Sequence, residues 1–153
     1  RTAERGFQEA GVYVGADTVD QLGGGVCQGS STLYNCVLLA DLEVVTRSCH
    51  GATVAYLPLG LDAAVNWGTT DFQFRNNFHF PVKIEAETTE DLVKMRILGT
   101  DEKDYYIEMT SGYDDSREDV IYAVSYKNKY SKETGELISK DREAFSTYYR
   151  NVG

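Results

Sequence analysis

Gly23-Gly24-Gly25-Val26-Cys27-Gln28-Gly29-Ser30-Ser31-Thr32-Leu33-Tyr34-Asn35 is the stretch that decides the fold. Three consecutive glycines allow backbone conformations that other residues rarely adopt. The run that follows contains neither Gly nor Pro from Ser30 to Val45, and Leu33, Val37 and Ala40 recur in it at helical spacing. The pattern predicts a helix from about Cys27 to about Leu42, with the hydroxyl side chains of residues 30–32 as candidates to cap its first turn.

Period-two alternation replaces the helical pattern after Leu42 and predicts strands over residues 43–47, 52–57, 72–74, 82–86 and 92–98. The last two are expected to form a hairpin through Thr88-Thr89-Glu90-Asp91. From Thr100 onward the chain holds eight of its 11 tyrosines, and the segments 122–130 and 137–140 predict a further hairpin. The predicted fold class is α+β, with one long helix after a Gly-rich loop packed on a mostly antiparallel sheet. A core over residues 1–99 and a Tyr-rich β extension over 100–153 are the predicted units.

Length and charge limit the classes of function. The chain has 153 residues, 42% of them hydrophobic, which suits one compact domain. Its 24 acidic residues against 15 Lys and Arg give a net charge of -9, which argues against binding to nucleic acid or an anionic membrane surface. No apolar run approaches the ~20 residues of a spanning helix, so no membrane contact is expected for this fragment. An odd count of 3 cysteines leaves at least one thiol free.

Cys27 is the best-placed nucleophile, because it lies directly after the glycine triplet at the predicted start of the helix. Unpaired N–H groups and the positive end of the helix dipole stabilise a thiolate there. The N–H groups of Gly24 and Gly25, together with those of the first helical turn, are candidate donors to the oxyanion of a tetrahedral intermediate. The alternative is a buried structural cysteine, which the position after three glycines disfavours.

A thiol nucleophile normally needs a base, and the chain offers only His50 and His79. His50 is preferred, because antiparallel return of the chain after the first strand would bring it back beside the helix start. A third polar group would fix the imidazole tautomer, and both Asp62 and Asp71 are candidates for that role.

A metal site and a nucleotide site are the alternatives to a cysteine nucleophile. Cys27, Cys49 and His50 are possible zinc ligands, but the sequence has no Cys-x-x-Cys pair. Adjacent strand residues point to opposite faces, so Cys49 should point away if His50 meets Cys27. Cys36 is expected to pack in the core on the helix. The glycine run lacks a phosphate-binding signature, and no metal and no cofactor are predicted.

Several blocks of this sequence resemble the VanW-domain family. They are Arg1-Thr2-x-Glu4-Arg5-Gly6, the Gly23–Asn35 motif, His50, Gly60-x-Asp62-Ala63-x-Val65 with Gly68, and Asp71-Phe72-x-Phe74-x-Asn76. The resemblance runs from Arg1 to about Leu98. Where family members commonly carry His-x-His, this chain has Ser48-Cys49-His50 and keeps the second histidine.

The resemblance implies an extracytoplasmic protein of Gram-positive bacteria, secreted or membrane-anchored as a whole, from a family named for its association with glycopeptide-resistance clusters. It also implies peptidoglycan stem peptides as partners and L,D-transpeptidase activity, with Cys27 as the acyl-accepting nucleophile. The candidate catalytic residues are Cys27, His50 and Asp62. The candidate substrate-binding residues are Arg1, Gly24, Gly25, Gln28, Ser30, Asp71 and Arg75. An L,D-carboxypeptidase, another cysteine amidase and a non-catalytic wall-binding module remain the alternatives.

Overall fold

The computed structural model describes residues 1–14, 17–90 and 92–150, so Asp91 of the predicted hairpin turn and the end of the extension, 151–153, lie outside it. Within these residues there are one α-helix, a short 3-10 helix (Ala3–Arg5) and nine strands. The α-helix is α1 (Val26–Leu39), and the strands are β1 (Glu9–Val14), β2 (Asp17–Leu22), β3 (Glu43–Thr46), β4 (Gln73–Arg75), β5 (Lys83–Thr88), β6 (Val93–Leu98), β7 (Tyr105–Asp114), β8 (Val120–Ser131) and β9 (Leu137–Tyr149).

The α+β class is confirmed, and every strand pairing is antiparallel. The predicted sheet is divided into the ribbons β1-β2, β3-β4 and β5-β6 and the three-stranded sheet β7-β8-β9. The helix packs against β6, β3 and β7, which belong to three of these units. It is therefore the common element that these units share.

The β1-β2 hairpin is absent from the sequence-based prediction, which treated this glycine-containing region as a loop. Its register pairs Glu9 with Leu22 and Val12 with Val19. The hairpin explains the middle glycine of the triplet, because a Cβ at Gly24 would lie 2.2 Å from the Ala10 carbonyl oxygen. Only glycine allows the chain to pass β1 this closely before entering α1.

The strand predicted over residues 52–57 is wrong. This segment is irregular, and within the described residues its backbone pairs with no neighbouring strand. Val54 is buried, which accounts for the apolar alternation that suggested a strand. Just before it, the Gly51 carbonyl accepts a hydrogen bond from the Tyr149 N–H at 2.7 Å, so the chain here runs as a loop against the end of β9.

The core lies under the buried face of α1. Tyr34, Leu38, Leu61 and Ala63 form its centre, and Phe72 packs against it edge-to-face with Tyr34, with the two ring centroids 5.5 Å apart. Burial of aliphatic and aromatic side chains of this size contributes roughly 1.5–3 kcal/mol each. The hydrophobic effect on this face therefore holds the helix in place.

The helix ends at Leu39, three residues earlier than predicted, because Asp41 adopts a left-handed conformation with φ 59°. In the last sheet, Ile107, Ala123 and Tyr148 are buried. The Tyr148 hydroxyl accepts a hydrogen bond from the Gly60 N–H at 2.7 Å, so the extension contacts the core directly. The boundary at residue 99 stays a prediction. Among the described residues, no helix has the length and apolar character needed to span a membrane.

Candidate active site

Cys27 lies in the first turn of α1, half-buried in a cleft of about 610 Å³. Gly25 occupies the N-cap position with φ 82°, a conformation that favours glycine. Within the described part of the chain, no acceptor takes the N–H of Val26 or Cys27. The positive end of the helix therefore has free donors beside the thiol.

Gly24 does not fit its predicted role as an oxyanion donor. Its N–H already donates to the Gln21 carbonyl oxygen at 3.1 Å. The absence of a side chain at Gly24 instead serves the close passage along β1. The oxyanion donors that the structure offers are the first amides of the helix itself.

His50 lies between Cys27 and Asp62. Its imidazole and the Cys27 thiol line the same cleft and are close enough to interact electrostatically. Its ring Nδ1 lies 2.6 Å from Asp62 Oδ2, and its backbone N–H donates to the same oxygen at 2.7 Å. With Nδ1 engaged by Asp62, Nε2 is the ring nitrogen left for Cys27. Of the two aspartates left open by the sequence, Asp62 is the one that contacts the histidine.

Asp62 is fully buried, and its second oxygen is also bound. Oδ1 accepts hydrogen bonds from the Tyr148 hydroxyl at 2.5 Å and from Arg47 Nη2 at 3.0 Å. Arg47 Nε also donates to the Asp62 carbonyl oxygen at 2.7 Å. A buried carboxylate is costly unless it is paired and hydrogen-bonded, and these contacts meet that requirement.

These contacts shift three pKa values in the directions that a thiolate–imidazolium pair requires. The interaction with the His50 side chain lowers the pKa of Cys27, although burial opposes this. Burial alone would lower the pKa of His50, but its hydrogen bonds to Asp62 and Cys27 raise it to about 9. Burial would raise the pKa of Asp62, yet the hydrogen bonds from His50 and Tyr148 lower it. These shifts favour the thiolate form of Cys27 and the imidazolium form of His50 more than isolated side chains would.

The hydroxyl residues of the motif do not cap the helix as predicted, since the cap carries no side-chain hydrogen bond. They bind the segment that carries Asp62 instead. The Ser30 hydroxyl donates to the Ala63 carbonyl oxygen at 2.6 Å, and the Ser31 hydroxyl accepts from the Ala63 N–H at 2.9 Å. The Asn35 side chain donates to the Leu61 carbonyl oxygen at 2.7 Å. The motif thus fixes the Asp62 segment to the helix that bears Cys27.

The remaining predicted binding residues are spread over the surface around Cys27. Arg1 Nη2 donates to the Val65 carbonyl oxygen at 3.0 Å, and Cys27 Sγ lies 3.3 Å from the same oxygen. Gln28 lines the Cys27 cleft, and Asp71 lines an adjoining cavity. Arg75 does not line either cavity, because it pairs with Glu43 at 3.2 Å across the exposed β3-β4 ribbon.

The other thiols have contacts of their own. Cys49 Sγ donates to the Thr147 carbonyl oxygen at 3.6 Å, and Cys36 Sγ donates to the Met95 carbonyl oxygen at 3.4 Å. Burial raises the pKa of Cys36, the opposite of the shift at Cys27. His79 is exposed in the loop before β5. In the part of the chain that the structure describes, no group of three or more His, Cys, Asp or Glu side chains could hold a metal ion.

Sequence reasoning missed Arg47 and Tyr148. Arg47 directly follows β3 and precedes His50 by three residues. Its place at the end of the strand that leads to His50 could have indicated that Arg47 belongs to the site. Its guanidinium also lies 5.4 Å from the centre of the Tyr34 ring. Tyr148 comes from β9, and no local pattern links it to Asp62, 86 residues earlier.

Cys27, His50 and the buried Asp62 meet in this order at the start of α1, an arrangement that also occurs at sites with a cysteine nucleophile. The chain belongs to the VanW family, since the profile described as "VanW like protein" matches residues 1–98. It is also 42% identical over 87 residues to a protein of Bacillus subtilis (strain 168) named "Uncharacterized protein YoaR". That alignment covers 57% of this chain and 29% of the relative, so the chain spans under a third of it. No solved structure matches the chain.

Proposed function

We propose that this chain is the catalytic domain of a peptidoglycan L,D-transpeptidase with Cys27 as the nucleophile. The observation that carries the proposal is the placement of Cys27 beside His50, whose ring Nδ1 lies 2.6 Å from the buried carboxylate of Asp62. Membership of the VanW family supports the choice of substrate class. The proposal places the whole protein outside the cytoplasm, at the cell wall.

In the first half-reaction, the Cys27 thiolate attacks the carbonyl carbon of an L,D peptide bond in a stem peptide. The N–H groups of Val26 and Cys27 are the donors to the oxyanion of the tetrahedral intermediate. The imidazolium of His50 then gives its proton to the leaving nitrogen as the C–N bond breaks. The products are a free terminal D-residue, a thioester on Cys27 and neutral His50.

In the second half-reaction, a side-chain amine of another stem peptide attacks the thioester carbonyl. Neutral His50 takes the proton of the amine, the C–S bond breaks, and Cys27 leaves as a thiolate. An amide bond has formed, and the thiolate–imidazolium pair is restored. Water in place of the amine would make the same site an L,D-carboxypeptidase.

Asp62 contributes by fixing the histidine. Its Oδ2 binds both Nδ1 and the backbone N–H of His50, which sets the orientation of the ring and stabilises its charged form. Arg47 and Tyr148 occupy Oδ1 and so hold the carboxylate itself in place. They act through Asp62 and are positioning residues.

The test is incubation of the purified protein with a disaccharide tetrapeptide, followed by intact-mass and peptide-mapping mass spectrometry. The expected product is an acyl adduct on Cys27 with the mass of the stem peptide minus its terminal D-residue. Cys49→Ser is the matched control, since Cys49 lines the same cleft but its thiol contacts the Thr147 carbonyl oxygen. An active Cys49→Ser variant with no adduct in Cys27→Ala supports the proposal. Turnover by folded Cys27→Ala would end it.

A further inference from the structure

A second and larger cavity, of about 950 Å³, adjoins the Cys27 cleft. It lies between α1, β6 and the turn over residues 66–70, which the Asn66–Thr70 bridge closes. Both cavities are lined by Arg1, Val26, Val65, Asn66 and Thr70. A molecule in the larger cavity would therefore lie next to whatever is attached to Cys27.

The wall of this cavity is largely apolar. Leu33 of α1, Met95 of β6 and Phe72 supply aliphatic and aromatic surface. Trp67 lies on the turn at its border with 80% of its surface exposed. An indole this exposed gains little from packing within the chain. The surface suits a ligand with a methylene chain, which packs against apolar side chains and excludes water from them.

Two charged side chains line the cavity, and they lie on different parts of its wall. Arg1 belongs to the wall shared with the Cys27 cleft, whereas Asp71 lines the larger cavity alone. The carboxylate of Asp71 accepts from the Phe72 N–H and from Gln73 Nε2, both at 2.9 Å. These donors are neutral, so the negative charge of Asp71 remains available to a cationic ligand.

We propose that the larger cavity is the acceptor site, where the alkylammonium side chain of a peptide binds before it attacks the Cys27 thioester. This inference rests on the proposed function. The methylenes pack against Leu33 and Met95, Asp71 attracts the ammonium group, and the exposed face of Trp67 adds a cation–π contact. The bound ammonium group first loses one proton to solvent. Its free amine nitrogen then attacks the thioester carbonyl across the wall that Arg1 and Val65 share with the cleft, and neutral His50 takes the second proton. The C–N bond forms and the C–S bond breaks.

The first arm of the test measures binding without catalysis. The protein has one tryptophan, so the fluorescence of Trp67 reports ligand binding at this cavity. Cys27→Ala protein is titrated with Nα-acetyl-lysine amide and with Nα-acetyl-norleucine amide, which has the same stem without the amine. We expect the lysine probe to bind about threefold to fivefold more tightly, as a partly exposed ion pair allows. Asp71→Asn should remove that difference. Equal affinity for the two probes in Cys27→Ala protein that keeps Asp71 would overturn the proposal.

Asp141→Asn is the matched control variant. Asp141 is also exposed and also accepts from a side chain two residues away, Ser139, at 2.8 Å. It lines neither cavity. The preference for the lysine probe should survive Asp141→Asn unchanged. Its loss in both variants would show that the overall negative charge of the chain, and not Asp71, attracts the probe.

The second arm measures transfer from a tetrapeptide donor, with the rate of acyl-enzyme formation in each variant as the internal reference. Asp71→Asn should raise the acceptor KM about threefold to fivefold, and Trp67→Ala should raise it about twofold to threefold, while the rate of acyl-enzyme formation stays unchanged in both. In both variants water should hydrolyse a larger share of the acyl-enzyme. If Asp71→Asn forms the acyl-enzyme and has the same acceptor KM as the unmodified protein, the acceptor site is overturned and the proposed function is not. Absence of any acyl-enzyme in the unmodified protein overturns the proposed function, while the fluorescence arm still tests the cavity.

Discussion

Asp62 and Asp41 are two carboxylates held by the same kinds of side chain at opposite ends of α1. Asp62 receives a tyrosine hydroxyl from β9 at 2.5 Å, and Asp41 receives the Tyr105 hydroxyl from β7 at 2.5 Å. Asp62 pairs with Arg47 and His50, whereas Asp41 pairs with Lys127 and Lys129, both at 3.0 Å. Each carboxylate therefore ties the C-terminal sheet to the helical core.

The two carboxylates differ in what their cationic partners contact. The cationic partner His50 leads on to a thiol in a cleft, whereas the two lysines lead to no nucleophile among the described residues. Burial alone would raise the pKa of Asp41, but the hydrogen bonds from Tyr105 and the two lysines lower it to about 2. The same ionic chemistry thus stabilises the chain at one end of the helix and, as we propose, sets up a reaction at the other.

The largest expected effect tests whether the Asp62 end is catalytic at all. Cys27→Ala should reduce acyl transfer by about 10⁵–10⁶-fold, the loss typical when the nucleophile of a cooperating triad is removed. Its melting temperature should stay close to that of the unmodified protein, because a half-buried thiol at a helix start contributes little packing. Steady-state transfer assays and thermal melts measure the two effects.

Cys36→Ala is the paired control for that substitution. It removes a sulfur that contacts β6 through Met95, so we expect full activity with a loss of roughly 1 kcal/mol in the free energy of unfolding. Inactive but folded Cys36→Ala protein would contradict the assignment of the reaction to Cys27.

The second prediction compares the two carboxylates directly. Asp62→Asn should reduce kcat by about 10³–10⁴-fold, because the amide holds the imidazole in the wrong tautomer and does not stabilise its charged form. Asp41→Asn should leave kcat within about twofold and instead cost about 1–2 kcal/mol of stability through weakened hydrogen bonds to charged groups. Chemical denaturation and initial rates on both variants are the measurements. Similar loss of activity in both would remove the distinction between the two ends of the helix.

The third prediction concerns pH and uses alkylation of the thiols as the readout. The pKa of Cys27 is lowered from 9.0 and that of Cys36 is raised from 9.0 by burial. Because the thiolate is the reactive form, Cys27 should react with iodoacetamide at least about tenfold faster than Cys36 at neutral pH. Its rate should fall as acid protonates the thiolate. Mass-resolved alkylation distinguishes the three thiols.

The acylation rate should pass through a maximum between the lowered pKa of Cys27 and the pKa of His50 of about 9. On the acid side Cys27 loses its thiolate form, and on the alkaline side His50 loses its proton near its pKa of about 9. Asp62→Asn should remove the alkaline limb near that value, whereas Asp41→Asn should leave both limbs unchanged. A single monotonic rise with pH in the unmodified protein would contradict the ion pair.

The sequence predicted features that depend on neighbouring residues and missed features that depend on residues distant in the chain. The position of Cys27 after three glycines at a helix start is a local pattern, and the structure has the helix there. The β1-β2 hairpin was missed because its glycines weaken the strand pattern, and the apolar alternation at 52–57 reflected one buried side chain, Val54. Gly24 was assigned a donor role because its close approach to Ala10 depends on a hairpin that the sequence did not reveal.

The choice between Asp62 and Asp71 shows the same limit. Both follow His50 at a distance that a loop can span, and only tertiary packing decides which carboxylate reaches the ring. The residues that settle it are Ser30 and Ser31, whose hydroxyl groups hold Ala63 against the helix. Sequence reasoning treated these hydroxyls as caps, because local capping is the commoner use of serine at a helix start.

The smallest expected effect separates positioning from structure at the two tyrosines. Tyr148→Phe leaves Asp62 Oδ1 with Arg47 alone and removes the acceptor of the Gly60 N–H, so stability should fall by about 1.5–3 kcal/mol. Tyr105→Phe should cost a comparable amount at Asp41.

Without the Tyr148 hydroxyl, the negative charge on Asp62 is less dispersed and holds the imidazolium more strongly. The alkaline limb of the acylation profile should therefore move above the His50 pKa of about 9 in Tyr148→Phe, with a threefold to tenfold loss of kcat, roughly 1 kcal/mol in the barrier. Tyr105→Phe should leave both the limb and kcat in place. Identical pH profiles for the two variants would mean that Tyr148 only supports the fold, as Tyr105 does, and that the extension contributes nothing to the reaction.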